Sequence, residues 1–259
     1  MSDAIPLTFE PAAPARLRAV VREIEYEFIR LVRTRAFSLS VIGFPLVFFL
    51  LFGLRAHDAE TTRYLIAGYS CFGLGSACLF GIGLGIAMER AQGWLELKWA
   101  SPMPRLAYLA AKMVSSAAFA LIVTALLIGL GVTLGGVTVT LSQGLRLMAL
   151  MLVGSVPFTA LGLLIALWVP PTSGPGIINL IYIPLSFASG FWMPLRLLPH
   201  WLQAIAPALP TYHLAQLALA VFGFAPRAGA LTHWLVLAGF TLLMFAAAWI
   251  TFVRREHQA

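Results

Sequence analysis

The stretch "ERAQGWLELKWASPMPR", residues 89–105, lies between two long apolar segments and decides how the chain is organised. It carries two acids, three bases and two tryptophans, so it suits neither the hydrocarbon of a bilayer nor free solution. The apolar runs on either side, residues 64–88 and 106–131, each exceed the roughly 20 residues that cross a bilayer. The pattern predicts two transmembrane helices joined by a short amphipathic segment.

Composition extends this interpretation to the whole chain. Of its 259 residues, 60% are hydrophobic and 10% are charged, whereas soluble domains contain about 25% charged residues. We therefore predict an all-α integral membrane protein with six transmembrane helices. Their expected ranges are 37–54, 64–88, 106–131, 145–168, 174–193 and 231–253.

Two segments precede the first span. Residues 1–15 are rich in proline and lack a basic start followed by an apolar core, so we predict a disordered lead and no signal peptide. Residues 16–35 place apolar side chains at helical spacing with arginines on other faces, which predicts an amphipathic helix on the membrane surface. A helix packed on a soluble domain would have little to pack against here. The transmembrane domain is then expected to cover residues 36–259.

The distribution of basic residues predicts the orientation of the six spans. If both ends share one side, twelve of the 17 lysines and arginines lie on that side, in the 89–105 segment and near both termini. Basic residues stay preferentially in the cytoplasm, so both termini and the 89–105 segment are expected there. The net charge of +7 is interpreted as a topology signal rather than as a nucleic-acid site.

The connection between the fifth and sixth spans, residues 192–227, has an unusual pattern. Its apolar pieces, about 197–206 and 211–224, are too short to cross a bilayer and are separated by prolines. We predict re-entrant or interfacial half-helices on the outer face. A seventh span is disfavoured because it would place the basic C-terminus outside.

Ionisable and catalytic groups are sparse. Lys112 lies about two turns into the third span and is expected to reach back to the cytoplasmic interface; a proton relay is the less favoured alternative. Span five offers Asn179, Tyr182 and Phe187 for a substrate path, although the polar pair could equally form interhelical hydrogen bonds. Cys71 and Cys78 lie seven residues apart on one helix and cannot bridge each other.

Motifs for metal or nucleotide chemistry are missing from the sequence. Neither HExxH nor GxSxG occurs, and no metal site is predicted; His200, His213 and His233 would lie near the outer face and leave a membrane enzyme as a distant alternative. No GxxxxGK[ST] loop occurs either, so the chain is not expected to hold nucleotide phosphates by itself. Span two contains several glycines, including Gly81 and Gly85, which predict tight helix packing.

Within the opening stretch, helical spacing places Trp94 and Leu97 on one stripe and Leu95 and Trp99 on another. Such a helix could lie on the membrane as an anchor. It could instead insert an aromatic side chain into a groove of a cytoplasmic partner, with charged residues at the rim. These residues alone leave the two alternatives evenly balanced.

Two motifs make the chain resemble the permease subunits of ABC-2 type ABC transporters. One is ER-x-x-G-x-x-E followed by SP after four residues, and the other is the segment 189–216, with its Gly-Phe-x-x-Pro, Leu-Pro-x-Trp-Leu and Pro-x-x-Tyr pattern. The resemblance implies an N-terminal elbow helix, a coupling helix between spans two and three, and outer re-entrant helices. The coupling set comprises Glu89, Arg90, Gly93, Trp94, Glu96, Leu97, Ser101 and Pro102, and the outer set comprises Pro194, Pro199, Trp201, Pro210, Tyr212 and His213.

The resemblance also implies partners and a function. Two copies of the chain would pair with two ABC ATPase subunits, which would hold ATP and magnesium, so this chain would need no cofactor and would not be an enzyme. We expect export of a hydrophobic or amphipathic compound, such as a drug or antibiotic, or of a glycan or lipid-linked substrate. The alternative is a self-contained secondary transporter or membrane assembly protein without an ATPase partner.

Overall fold

The computed structural model describes residues 13–55, 58–100, 105–226 and 228–256, and no strand occurs in these ranges. Short π-helical turns interrupt the second and third helices at Leu39–Gly43, Phe49–Gly53 and Leu79–Leu84. The helices are α1 (Ala13–Arg33), α2 (Arg35–Gly53), α3 (Ala59–Ala91), α4 (Trp94–Ala100), α5 (Arg105–Thr133), α6 (Leu141–Trp168), α7 (Gly174–Ala188), α8 (His200–Ile205), α9 (Pro210–Phe222) and α10 (Ala230–Glu256).

The helices α2, α3, α5, α6 and α10 are long and apolar enough to cross a membrane, and each lies within a few residues of a predicted span. The helix at the position of the fifth predicted span is shorter than predicted. Helix α7 has 15 residues, or about 22 Å at 1.5 Å per residue, against a hydrocarbon core of about 30 Å. It ends because Gly190 adopts a left-handed conformation (φ 78°) and the chain turns, so the prediction of helix to residue 193 is wrong.

Helix α3 lies at the centre of the bundle, where it packs against α5, α6 and α9. Small residues allow this burial. A side-chain carbon at Gly73 would meet Val123 at 2.6 Å, and one at Gly83 would lie 3.2 Å from the carbonyl oxygen of Gly162. The prediction that the glycines of this span serve tight packing is confirmed.

Helix α1 contains the predicted amphipathic segment but makes more protein contacts than expected. Phe28 and Leu31 pack beside Phe119 of α5, with the two phenylalanine ring centroids 5.5 Å apart. Helix α1 therefore packs on one of the apolar helices of bilayer length, and its place on the membrane surface stays a prediction. Leu17 and Val21 remain exposed. The predicted lead falls mostly outside the described residues, while residues 13–15 are helical.

The connection between α7 and α10 contains two short helices. The segments His200–Ala208 and Pro210–Phe222 meet at a 93° bend, which is the geometry of a broken span or of a re-entrant loop. Proline explains the break, because Pro210 has no N–H to continue the preceding helix. Both predicted half-helices are present, with shifted boundaries. Whether they re-enter the membrane stays a prediction.

Candidate functional site

Helix α4 is a seven-residue helix at one end of the bundle, directly after α3. Gly93 adopts a left-handed conformation (φ 73°) that a glycine tolerates without strain, and the chain reverses there before Trp94. Leu95 is buried beside Ile86 and Tyr108. The opposite stripe, Trp94 and Leu97, is 57% and 68% exposed, as the helical spacing predicts. Ser101 and Pro102 lie outside the described residues.

Beneath α4, four charged side chains from three helices form a cluster, here called the charge cluster, in which three members are buried and the arginine is 41% exposed. It contains Glu27 and Arg30 of α1, Glu89 of α3 and Lys112 of α5. The Lys112 Nζ lies 2.8 Å from Glu89 Oε1 and 3.0 Å from Glu27 Oε1. The Arg30 guanidinium lies 2.6 Å from Glu27 Oε1 and 3.1 Å from Glu89 Oε1. Two positive and two negative charges therefore balance.

Neighbouring groups complete the hydrogen bonding of the charge cluster. The Tyr108 hydroxyl donates to Glu89 Oε2 at 2.6 Å. Burial opposes the charge of Arg30, but the hydrogen bond and attraction of Glu27, together with the attraction of Glu89, outweigh it and raise the pKa of Arg30. Buried charges are tolerated when they are paired and hydrogen-bonded in this way.

Lys112 is buried among charged partners at the end of the bundle where α4 lies. Its side chain is only 1% exposed and contacts Glu27 of α1 and Glu89 near the end of α3, so it joins three helices. Whether this end lies at the membrane interface stays a prediction. Glu89 is buried in the same charge cluster rather than exposed beside Trp94. Arg90 turns the other way and donates to the carbonyl oxygen of Leu167 at 3.4 Å.

A separate ion pair fastens α4 to α1. Lys98 Nζ lies 2.6 Å from Glu23 Oε1, and the same nitrogen lies 4.7 Å from the centre of the Tyr108 ring. Glu96 remains exposed on α4. Sequence reasoning missed Glu23 and Glu27. The available signal was that Glu27 lies one turn from Ile24 and from Leu31, on the apolar side of α1.

The candidates for a substrate path do not share one surface. Asn179 is exposed, whereas Tyr182 is 1% exposed and its hydroxyl donates to the carbonyl oxygen of Phe72 at 2.9 Å. For Tyr182 the structure thus shows an interhelical hydrogen bond. Phe187 stacks on Trp192, with ring centroids 4.7 Å apart. Cys71 and Cys78 are free and buried, as predicted.

The outer set of predicted residues lies at the end of the bundle opposite α4. Pro194, Pro199 and Pro210 each immediately precede or begin a helical turn, and Trp201 is 65% exposed. Tyr212 packs its ring against those of His213 and His233.

The two histidines pair with each other. His213 Nδ1 lies 2.8 Å from His233 Nδ1, and His213 Nε2 donates to the carbonyl oxygen of Pro207 at 2.9 Å. Within the described ranges, no group of three histidine, cysteine or acidic side chains could hold a metal ion.

Apolar helices of bilayer length, packed around a glycine-rich central helix, define a multi-pass membrane protein. The family model for ABC-2 type transporters matches residues 20–223, from within α1 to the turn after α9, so the chain belongs to this family. The resemblance drawn from the two motifs is confirmed. The chain is also 25% identical over 239 residues to the "Putative transport permease YvfS" of Bacillus subtilis (strain 168), covering 90% of this chain and 96% of that protein. Permeases of this family normally work with an ATPase partner.

Proposed function

We propose that the chain is the permease subunit of an ATP-driven exporter, and that α4 is where an ATP-binding subunit docks. One observation carries this proposal: Trp94 and Leu97 are exposed on one side of α4, while Leu95 on its other side packs against the bundle. Large apolar side chains with a charged neighbour, here Glu96, have the composition of an interface centre and its rim. ATP and magnesium would belong to the partner subunit.

The attachments of α4 favour docking over simple membrane anchoring. A surface anchor needs an apolar face, whereas α4 also contacts three other helices through Leu95 and through the Lys98–Glu23 ion pair. A displacement of α4 would therefore act on α1, α3 and α5 together. We infer that ATP-driven motion of the partner reaches the spans by this route and switches access from one side of the membrane to the other.

The remaining assignments follow from the same proposal. Two copies of the chain would pair with two ATPase subunits in a bacterial cytoplasmic membrane, with both termini in the cytoplasm. The substrate would be hydrophobic or amphipathic, a drug or antibiotic, or else a glycan or lipid-linked molecule. The transport permease among the relatives supports a role in transport.

A self-contained carrier is the second candidate, and the charge cluster is the observation in its favour. Ion-driven carriers keep ionisable groups within the membrane for their coupling ion. Here, however, Glu27, Arg30, Glu89 and Lys112 balance one another and lie at one end of the bundle. That arrangement suits a joint between helices better than a relay across them.

The docking proposal predicts the effect of removing the exposed tryptophan of α4 together with its acidic neighbour. The double substitution Trp94→Ala and Glu96→Ala should weaken binding of the ATPase subunit by roughly 30-fold or more, because interface centres concentrate binding energy in such residues. Both side chains are exposed, so the fold should persist. Co-purification of the co-expressed ATPase subunit, together with substrate-stimulated ATP hydrolysis, measures the effect.

A matched control uses a tryptophan at the other end of the molecule. Trp201 is 65% exposed, close to the value for Trp94, and Trp201→Ala should leave the ATPase subunit bound. Export and coupled ATP hydrolysis at wild-type rates in the Trp94/Glu96 variant would contradict docking at α4. Uptake or export driven by a proton gradient in the chain alone would instead favour the second candidate.

A further inference from the structure

A cavity of about 1070 Å³ opens at the end of the bundle opposite α4. It lies between the end of α2, the start of α3, the segment after α7 and the end of α9. The Tyr64 hydroxyl donates to the carbonyl oxygen of Gly190 at 2.6 Å, which joins two of these walls. The volume is at the upper end of the range for small-molecule sites.

One wall of the cavity is aromatic and well supported. Trp192 stacks on Phe187 and packs edge-on against Phe48 and Tyr69, with ring centroids 4.7 to 5.2 Å apart. Its indole N–H donates to Ser186 Oγ at 2.8 Å, which fixes the ring. This wall therefore offers a rigid apolar surface to a hydrocarbon chain.

The rim of the cavity carries charges of both signs. Asp58, the N-cap of α3, and Glu60 in its first turn line the cavity, and Arg196 lines it from the turn Leu195–Leu197. Within the part of the chain that the structure describes, none of the three forms an ion pair. Hydrogen bonds from the backbone and side chain of Thr61 hold the pKa of Asp58 below its usual range, so its carboxylate is charged at neutral pH.

We propose that this cavity binds a zwitterionic membrane phospholipid with a phosphoethanolamine headgroup. Its ammonium would face Asp58 and Glu60, its phosphate would face Arg196, and one acyl chain would lie on the aromatic wall. A purely cationic amphiphile would meet Arg196, and a purely anionic one would meet two carboxylates. A headgroup with both charges is the class that satisfies all three residues at once.

Binding to the purified full-length chain in dodecyl maltoside tests this proposal, with no ATPase subunit present. The probes are oleoyl lysophosphatidylethanolamine, oleoyl lysophosphatidylglycerol and oleylammonium, which differ in headgroup charge, and glycerophosphoethanolamine, which has no chain. Native mass spectrometry gives the fraction bound. The ethanolamine lipid should bind roughly fivefold more tightly than either singly charged probe, since an exposed ion pair contributes up to about a factor of five. The headgroup alone should not bind measurably.

Two substitutions separate the two charges. Glu60→Gln should weaken the ethanolamine lipid by roughly threefold to fivefold and should not weaken lysophosphatidylglycerol, whereas Arg196→Gln should weaken both lipids. Asp58→Asn should act like Glu60→Gln, and asparagine also caps helices well, so α3 should stay folded. Arg146→Gln, on an exposed residue that does not line the cavity, is the control and should change nothing.

Several results would overturn the proposal. Equal binding of the three oleoyl probes would show an apolar site without headgroup selection, and tighter binding of oleylammonium would show a cation site. An effect of Arg146→Gln equal to that of Arg196→Gln would show general surface electrostatics. None of these results bears on docking at α4, because the measurement needs only this chain.

Discussion

Replacing Lys112 by methionine is expected to lower the free energy of unfolding of the chain by about 3–5 kcal/mol, the cost of leaving a buried partner charge uncompensated. Lys112 Nζ contacts both Glu27 and Glu89 within 3.0 Å, and without it Arg30 alone would face two carboxylates. The two buried free cysteines provide the measurement, because a thiol-reactive fluorescent dye reports their exposure on heating.

Two comparisons show whether the loss comes from the charge cluster. Lys98→Met also removes an ion pair, but the Lys98 side chain is 27% exposed against 1% for Lys112, so its cost should stay below about 1 kcal/mol. Adding Glu89→Gln to Lys112→Met leaves Glu27 and Arg30 as a balanced pair and should recover part of the loss. Equal melting temperatures for Lys112→Met and Lys98→Met would contradict the buried cluster.

Gly68→Ala is expected to destabilise the opposite end of the bundle by about 3 kcal/mol, at the upper end of overpacking costs. A carbon added at Gly68 would clash with the carbonyl oxygen of Phe191, which belongs to the backbone and cannot rotate away as a side chain could. The segment 189–192 would have to move away from α3. That movement would also break the hydrogen bond from Tyr64 to Gly190.

The matched control is Gly129→Ala, near the C-terminal end of α5. No atom outside its own helix neighbourhood lies within 4 Å of a carbon added there, so the unfolding temperature should stay the same or rise slightly through helix propensity. Thiol exposure on heating compares the two variants. Intrinsic fluorescence adds a local readout, because Trp192 belongs to the segment that must move. Equal stability of both variants would show that the contact at Gly68 is looser than described.

The spans and the exposed stripe of α4 could be predicted because both depend on local pattern. Long apolar runs give the spans, and helical spacing puts Trp94 and Leu97 on one side with Leu95 on the other. Proline positions gave the two half-helices. The end of α7 was missed because Phe191 and Trp192 continue the apolar run, while the turn depends on the conformation of Gly190.

The charge cluster could not be predicted from local pattern. Lys112 and Glu27 are separated by 85 residues in the sequence. The pattern of one helix indicates only whether a charged side chain would face lipid or water, and it does not show a partner on another helix. Lys112 was therefore expected at the membrane interface, because α5 contains no acidic residue that could pair with it. Only the packing of α1 on α5, through Phe28 and Leu31, brings the partner close enough to make burial favourable.

The order in which the four cluster charges are synthesised has a consequence for biogenesis. The ribosome makes the chain from the N-terminus, so Glu27, Arg30 and Glu89 emerge before Lys112, which follows Glu89 by 23 residues. Until Lys112 is synthesised, Arg30 is the one positive charge of the cluster that can pair with Glu27 and Glu89. The three helices can lock together only once α5 has begun to enter the membrane. A nascent chain stopped before residue 112 would therefore hold one excess negative charge in the cluster.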